Sequence, residues 1–222
     1  MKIYTYYENL YTNKIPNYLK KSINLWKHSW ERQGFEPILL GPKDAEKHHY
    51  YSKFNEKLKK IHLLLMGKEI TQYGMSCWNR WLAYATQPNE KFFVSDYDVI
   101  NVNFKKRIPE DTLHFMDGNC PCLASGNAKQ FENLCYLFVF LTKKRLKNIK
   151  SIANQKVCYH DQNFFICNNQ QLLQLRIKIN RIPEWNINIH HISNFYIKNL
   201  KNKKIHRNAI SRNILVKNGI KM

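Results

Sequence analysis

The segment Phe92-Phe93-Val94-Ser95-Asp96-Tyr97-Asp98-Val99 restricts the fold more than any other part of the chain. Three consecutive apolar residues suit a short strand covered on both faces, as in a sheet between two helix layers. In such sheets ligands sit in the crevice beyond the carboxyl ends of the strands, which is where Asp96 and Asp98 follow. At i and i+2 the two carboxylates project to one side if the backbone stays extended. Oxygen donors of this kind suit a hard dication, Mn2+ or Mg2+, that also takes phosphate oxygens. The plain alternative is a chance Asp-x-Asp in a turn, and the apolar run before it argues against chance.

The flanking sequence alternates between strand and helix patterns. Lys2 to Tyr7 is β-branched and aromatic and reads as a strand. After Pro16, Leu19, Ile23, Trp26 and Trp30 recur at helical steps, with Gly34 at the C-terminal end, and Pro37 to Leu40 reads as a second strand. Phe54, Leu58, Ile61 and Leu65 predict a helix, as do Cys77, Trp81, Leu82 and Ala85, and later Phe131, Leu134, Cys135, Phe138 and Val139. Asn163 to Cys167 reads as a further strand. This order predicts an α/β fold with a mixed, mostly parallel sheet flanked by helices. At 222 residues the chain reads as one domain, 1–222, with residues 198–222 as a basic C-terminal segment, either a last helix or a flexible arm.

Charge is the compositional outlier. Lys plus Arg is 36 against 16 Asp plus Glu, a formal net charge of +20, and no carboxylate follows Glu184. Solubility does not require such an excess, so a partner of opposite sign is expected: nucleic acid, through phosphate neutralisation, or an anionic membrane surface. The apolar content of 44% excludes a wholly disordered chain. Met1 to Glu8 carries charge where an export signal would build its apolar stretch, and the longest apolar run, Leu134 to Leu141, is far short of the roughly 20 residues of a membrane span. A soluble, cytoplasmic protein without a transmembrane segment is the expectation, and its six cysteines then read as reduced thiols. Cys120-Pro-Cys122 lacks the two-residue spacer of a zinc knuckle and has no second close pair, so it is not read as a metal site.

Ser76-Cys77-Trp78-Asn79-Arg80-Trp81-Leu82-Ala83-Tyr84, followed by the Asp96-x-Asp98 strand, resembles the DXD sugar-binding region of GT-A fold glycosyltransferases (the nucleotide-diphospho-sugar transferase superfamily). Element order extends the resemblance over most of the chain, while the specific motif covers only Ser76 to Asn101. It implies a Rossmann-like GT-A fold and transfer of a sugar from a nucleotide diphosphate sugar, by preference a UDP-sugar. The start of the chain resembles the first nucleotide-binding strand, which implies that Thr5, Tyr6 and Tyr7 meet the nucleotide and that an aromatic stacks on the base. Arg80 and Asp96 then contact the donor. Asp98 is the first metal ligand, Asp96 the second, and His191, in preference to His190, the late one. Lys198 is near enough in sequence to reach the diphosphate. His160-Asp161-Gln162-Asn163 resembles the late Asp-Gln segment of such enzymes, making Asp161 the expected acceptor contact or general base, with Asp117 the second candidate. Cys122 to Asn127 reads as a small-residue loop on the acceptor side. Cys77 stands where the family often has Asp, and Asn89-Glu90 where it often has Gly-Gly.

The charge excess makes the acceptor polyanionic, with modified bases in DNA ahead of a lipid-linked or capsular glycan built at a membrane surface. A haloacid-dehalogenase-type phosphatase also places Asp-x-Asp after an apolar strand, but the acidic pair it needs later in the chain is missing. A basic, non-catalytic nucleic-acid-binding module on the same scaffold is the alternative from another class.

Overall fold

The computed structural model describes residues 1–9, 15–105, 111–117, 120–144, 159–185, 187–192 and 203–220, with side chains of 203–206 excepted. Its central strands are β1 (Lys2–Tyr6) and β3 (Phe92–Ser95), and alternate residues of each enter two different apolar layers. Tyr4, Tyr6, Phe92 and Val94 pack into the larger core, whereas Ile3 and Phe93 pack with Trp26, Trp30 and Phe35 on the other face. That two-sided burial is what the uninterrupted apolar run of β3 demanded. The larger core is closed by α2 (Pro42–Glu46), α3 (Tyr51–Met66), α4 (Gln72–Ala85), α5 (Ala128–Lys144) and α6 (Asp161–Gln174). The opposite face is covered by α1 (Asn17–Glu31).

Six strands form the main sheet in the order β2-β1-β3-β6-β5-β7, where β2 is Glu36–Leu40, β5 is His114–Phe115, β6 is Leu123–Gly126 and β7 is Lys178–Ile179. The pairs β1/β2, β1/β3 and β5/β7 are parallel, and β6 runs antiparallel to both of its neighbours. The α/β class with a mixed, mostly parallel sheet is therefore as expected. A second, two-stranded antiparallel sheet pairs β4 (Val99–Asn101) with β8 (Ile189–His191), and the last helix, α7 (Lys203–Lys217), packs on α1. Among the described residues no helix is long and apolar enough to cross a membrane.

Two local expectations are corrected. Asn163 to Cys167 is helical, part of α6. The backbone N–H of His160 donates to Asn163 Oδ1 at 3.1 Å, and the buried residues Asp161, Phe164, Phe165, Asn168 and Leu172 follow helical spacing, which overrides the strand-like composition of so short a window. Leu123 to Gly126, read as an acceptor loop, is the buried strand β6. Its small residues answer to packing: a Cβ on Gly126 would meet Gln130 Oε1 and Leu113 Cδ1 at 2.9 Å each. The basic C-terminal segment is a docked helix over 203–217, with Asn208 accepting from Ser22 Oγ at 2.5 Å and donating to the Tyr18 carbonyl at 2.9 Å.

Candidate functional site

The end of β3 is set by α1. Trp26 Nε1 donates to Ser95 Oγ at 2.8 Å and Trp30 Nε1 to the Val99 carbonyl at 3.0 Å, so the residues between are held as a turn rather than as extended chain. Val99 N–H donates to the Asp96 carbonyl at 3.0 Å and closes that turn. Asp96 and Asp98 still reach one side, but through the turn and not through strand alternation. One donor atom each from Asp96, Asp98 and His191 lies within 4.8 Å of the others.

Each carboxylate has its own arginine. Arg80 leaves α4 and donates from Nη1 to Asp96 Oδ1, and from Nε (3.0 Å) and Nη2 (2.5 Å) to Asp161 Oδ2, which also accepts from Trp81 Nε1 at 2.9 Å. Asp161 is the first residue of α6, where the helix N-terminus favours negative charge, and its Oδ1 accepts from Gln162 N–H at 2.8 Å. With both oxygens engaged and 2% exposure, Asp161 is placed as the counter-charge of Arg80, not as a group facing an open space. Arg207 of α7 reaches Asp98 Oδ2 at 3.1 Å, and His191 Nε2 stands 3.4 Å from Asp98 Oδ1.

The two carboxylates differ electrostatically. Burial opposes ionisation of Asp98, yet the hydrogen bond from His191 and the charges of His191 and Arg207 outweigh it and hold the group below the ordinary carboxylate range. Burial raises Asp96, Arg80 pulls it back, and the Asp98 charge raises it again, so Asp96 stands above that range. Burial lowers the His191 pKa, but Asp98 and Cys120 overcome it and bring it to about 11. The Cys120 thiol is brought down to about 5, first by its hydrogen bond with Cys122, with burial opposing and His191 assisting.

The other expected residues separate clearly. His190 alternates with His191 on β8 and lies outside the grouped donors, because paired-strand geometry points neighbouring side chains to opposite faces. Tyr7 meets Tyr97 of the Asp96–Val99 turn edge-on, with ring centroids 6.1 Å apart. Tyr6 is buried and donates to Glu8 Oε2 at 3.0 Å, and Thr5 is fully buried. Thus only Tyr7 of the three stands against the turn. Asp117 contacts Arg181 Nη2 at 3.2 Å and lies 3.7 Å from Cys122 Sγ, next to His191 rather than to Arg80. Lys198 falls outside the described residues. Arg207 was not foreseen, although its spacing to Ser211, Ile214 and Leu215 on one helix face carried the signal of a docked, inward-reaching position.

The donor set tests the expected cation. The arginines take Asp96 Oδ1 and Asp98 Oδ2, and Asp98 Oδ1 faces His191 Nε2 at 3.4 Å, so an ion there would take Asp96 Oδ2 and displace the proton between Asp98 and His191. The two carboxylates suit Mn2+ or Mg2+, which prefer oxygen donors over an imidazole.

No family model matches the sequence, and no curated protein does either. Two solved structures of the glycosyltransferase GlyE of Streptococcus pneumoniae TIGR4 resemble the chain in part, each with a TM-score of 0.42. The apo form is 14% identical over 82% of this chain and 45% of its own; the other is 15% identical over 99% of this chain and 64% of its own. The chain thus spans less than two thirds of either GlyE chain. So distant a likeness assigns no activity, and the functional reading rests on the side chains above.

Proposed function

We propose that the chain is a metal-dependent glycosyltransferase that moves a sugar from a nucleotide diphosphate sugar, by preference a UDP-sugar, to a polyanionic acceptor. The observation that supports this best is the convergence of Asp96, Asp98 and His191 at the carboxyl end of a buried strand, with Arg80 and Arg207 on either side. When bound, Mn2+ or Mg2+ would neutralise the charge that develops on a departing nucleoside diphosphate. Arg80 is oriented by Asp161 and Trp81, so its guanidinium is presented to the donor in a fixed plane. Asp161 is accordingly a positioning residue, acting through Arg80. Tyr7, beside Tyr97, is the aromatic placed to stack on the base. Arg207 brings a cation from the C-terminal helix to the diphosphate side and leaves Arg212 and Lys217 on that helix's exposed face.

The acceptor we infer from charge is DNA, at modified bases, because +20 exceeds what a diphosphate clamp uses. The test is release of UDP from a panel of UDP-sugars with Mn2+. Asp98→Ala, with its fold checked by circular dichroism, is expected to lose roughly 10²-fold or more of that turnover. Unchanged turnover in the variant would remove the site from the reaction. Failure to bind duplex DNA even at low salt would remove DNA as acceptor, and pelleting with anionic vesicles instead would move the acceptor to a membrane surface.

A further inference from the structure

Immediately beside the carboxylate pair lies a second group of donors of a different chemical kind. Asp117 follows β5, Cys120 and Cys122 flank Pro121 just before β6, and His191 ends β8. One carboxylate oxygen, two sulfurs and one ring nitrogen from these residues lie within 4.8 Å of one another. The spacing in sequence argued against a zinc knuckle because Cys120-Pro-Cys122 lacks the two-residue spacer and no second close pair accompanies it. The fold supplies the other two ligands, one just past a strand end three residues before Cys120 and one from the β4/β8 pair about seventy residues after it.

We propose that Asp117, Cys120, Cys122 and His191 form a binding site for a single thiophilic dication of the zinc class. Zinc binds sulfur at about 2.3 Å and nitrogen or oxygen at about 2.0–2.2 Å, so the donors of a tetrahedral site stand roughly 3.3–3.8 Å apart. Closing the present group to that spacing takes movements on the order of 1 Å. Two sulfurs select zinc over manganese or magnesium, which prefer oxygen. Charge also balances: two thiolates and one carboxylate exceed the dication by one negative charge, and Arg181, 3.2 Å from Asp117 Oδ1, supplies the missing positive one. Cys122 is fully buried, and its carbonyl accepts from Asp96 N–H at 2.8 Å, so the site is joined to the end of β3 that carries the carboxylate pair. His191 belongs to both groups. Zinc in the thiolate group therefore fixes the imidazole that the carboxylate pair also faces, and ties β5, β6 and β8 together.

Sulfur ligation can be read independently of any transferase activity. The full chain, stripped with a chelator under reducing conditions, is titrated with Co2+. One equivalent is expected to bring thiolate-to-cobalt charge-transfer absorption in the near ultraviolet and the intense visible bands of tetrahedral geometry, both abolished by one equivalent of Zn2+. Cys120→Ser and Cys122→Ser should each lose charge-transfer intensity. Asp117→Asn should keep that absorption but shift the visible bands. Cys167→Ser, a thiol elsewhere, should leave the spectrum unchanged. A folded wild-type chain without charge-transfer absorption overturns the proposal, as does loss of the band in Cys167→Ser. These outcomes are separate from failure of the glycosyltransferase reading, which is scored by UDP release.

Discussion

Two regions bring histidines and acids together, and they are built in opposite ways. At the carboxyl end of β3, the groups come from α4, the β3–β4 turn, β8, α6 and α7, and every charge meets a counter-charge from a distant segment. On the other side, a cleft of about 490 Å³ is lined by two short runs, one with His48 and His49 and the other with Lys129 and Glu132. His48 Nδ1 there accepts the Tyr50 N–H at 3.2 Å, so the neutral ring carries its proton on Nε2, the atom 3.8 Å from Glu132. Lys129 already holds Glu132 at 2.5 Å, and His49 Nε2 lies 3.1 Å from Tyr136 Oη. Both regions contain residues able to hold a metal, but in the cleft His48 and Glu132 are engaged by near neighbours in sequence, Tyr50 and Lys129. Composition alone does not separate the two regions; burial does, since Arg80 and Asp161 are 14% and 3% exposed against 64% and 15% for Lys129 and Glu132.

Asp161→Asn attacks the first region at its most buried ion pair. It leaves the Arg80 guanidinium with Asp96 alone, and a loss of about 3–5 kcal/mol in unfolding free energy is expected by denaturant titration. The effect depends on pH with a defined sign. Burial resists ionisation of Asp161, but Arg80 outweighs it, so the folded pKa lies below the ordinary 3.8. A carboxylate depressed on folding contributes stability fully present above its unfolded value and lost as pH falls through the folded one. The Tm gap between wild type and variant should therefore be constant from neutral pH to about pH 5 and narrow below the ordinary aspartate range.

Next in size is Arg207→Ala, which cuts the contact between the C-terminal helix and Asp98. A loss of roughly 1.5–3 kcal/mol is expected in the same titration, and, where the diphosphate also uses this arginine, a higher KM for the donor in UDP release. Smallest is Glu132→Gln in the opposite cleft. Its lysine is well exposed, and the change should cost no more than about 1 kcal/mol. A cost equal to that of Asp161→Asn would erase the distinction between the two regions.

The same contrast explains what was legible from sequence. Wherever a segment carries its own periodicity, as in Leu19-Ile23-Trp26-Trp30 or Phe54-Leu58-Ile61-Leu65, the helix is where the spacing put it. Strands β5, β7 and β8 are two or three residues long and exist only through their partners, so no local pattern announced them. Asp96 and Asp98 stood out because an apolar strand precedes them, and Arg80 because of the motif around it. That Asp161 would neutralise Arg80 is a fact of tertiary packing across 81 positions. Arg207 and the joining of Cys120, Cys122, Asp117 and His191 were hidden for the same reason, since each needs two distant segments to meet.

Asp96 and Asp98 are separated by one residue, yet they answer to different parts of the molecule. Asp96 is gripped from α4 and, through Arg80, from α6; Asp98 is gripped from β8 and α7. A seam between the large helical layer and the C-terminal layer thus passes through Tyr97. The separation of the two carboxylates is therefore fixed, over a single residue, by how the two layers are seated against each other.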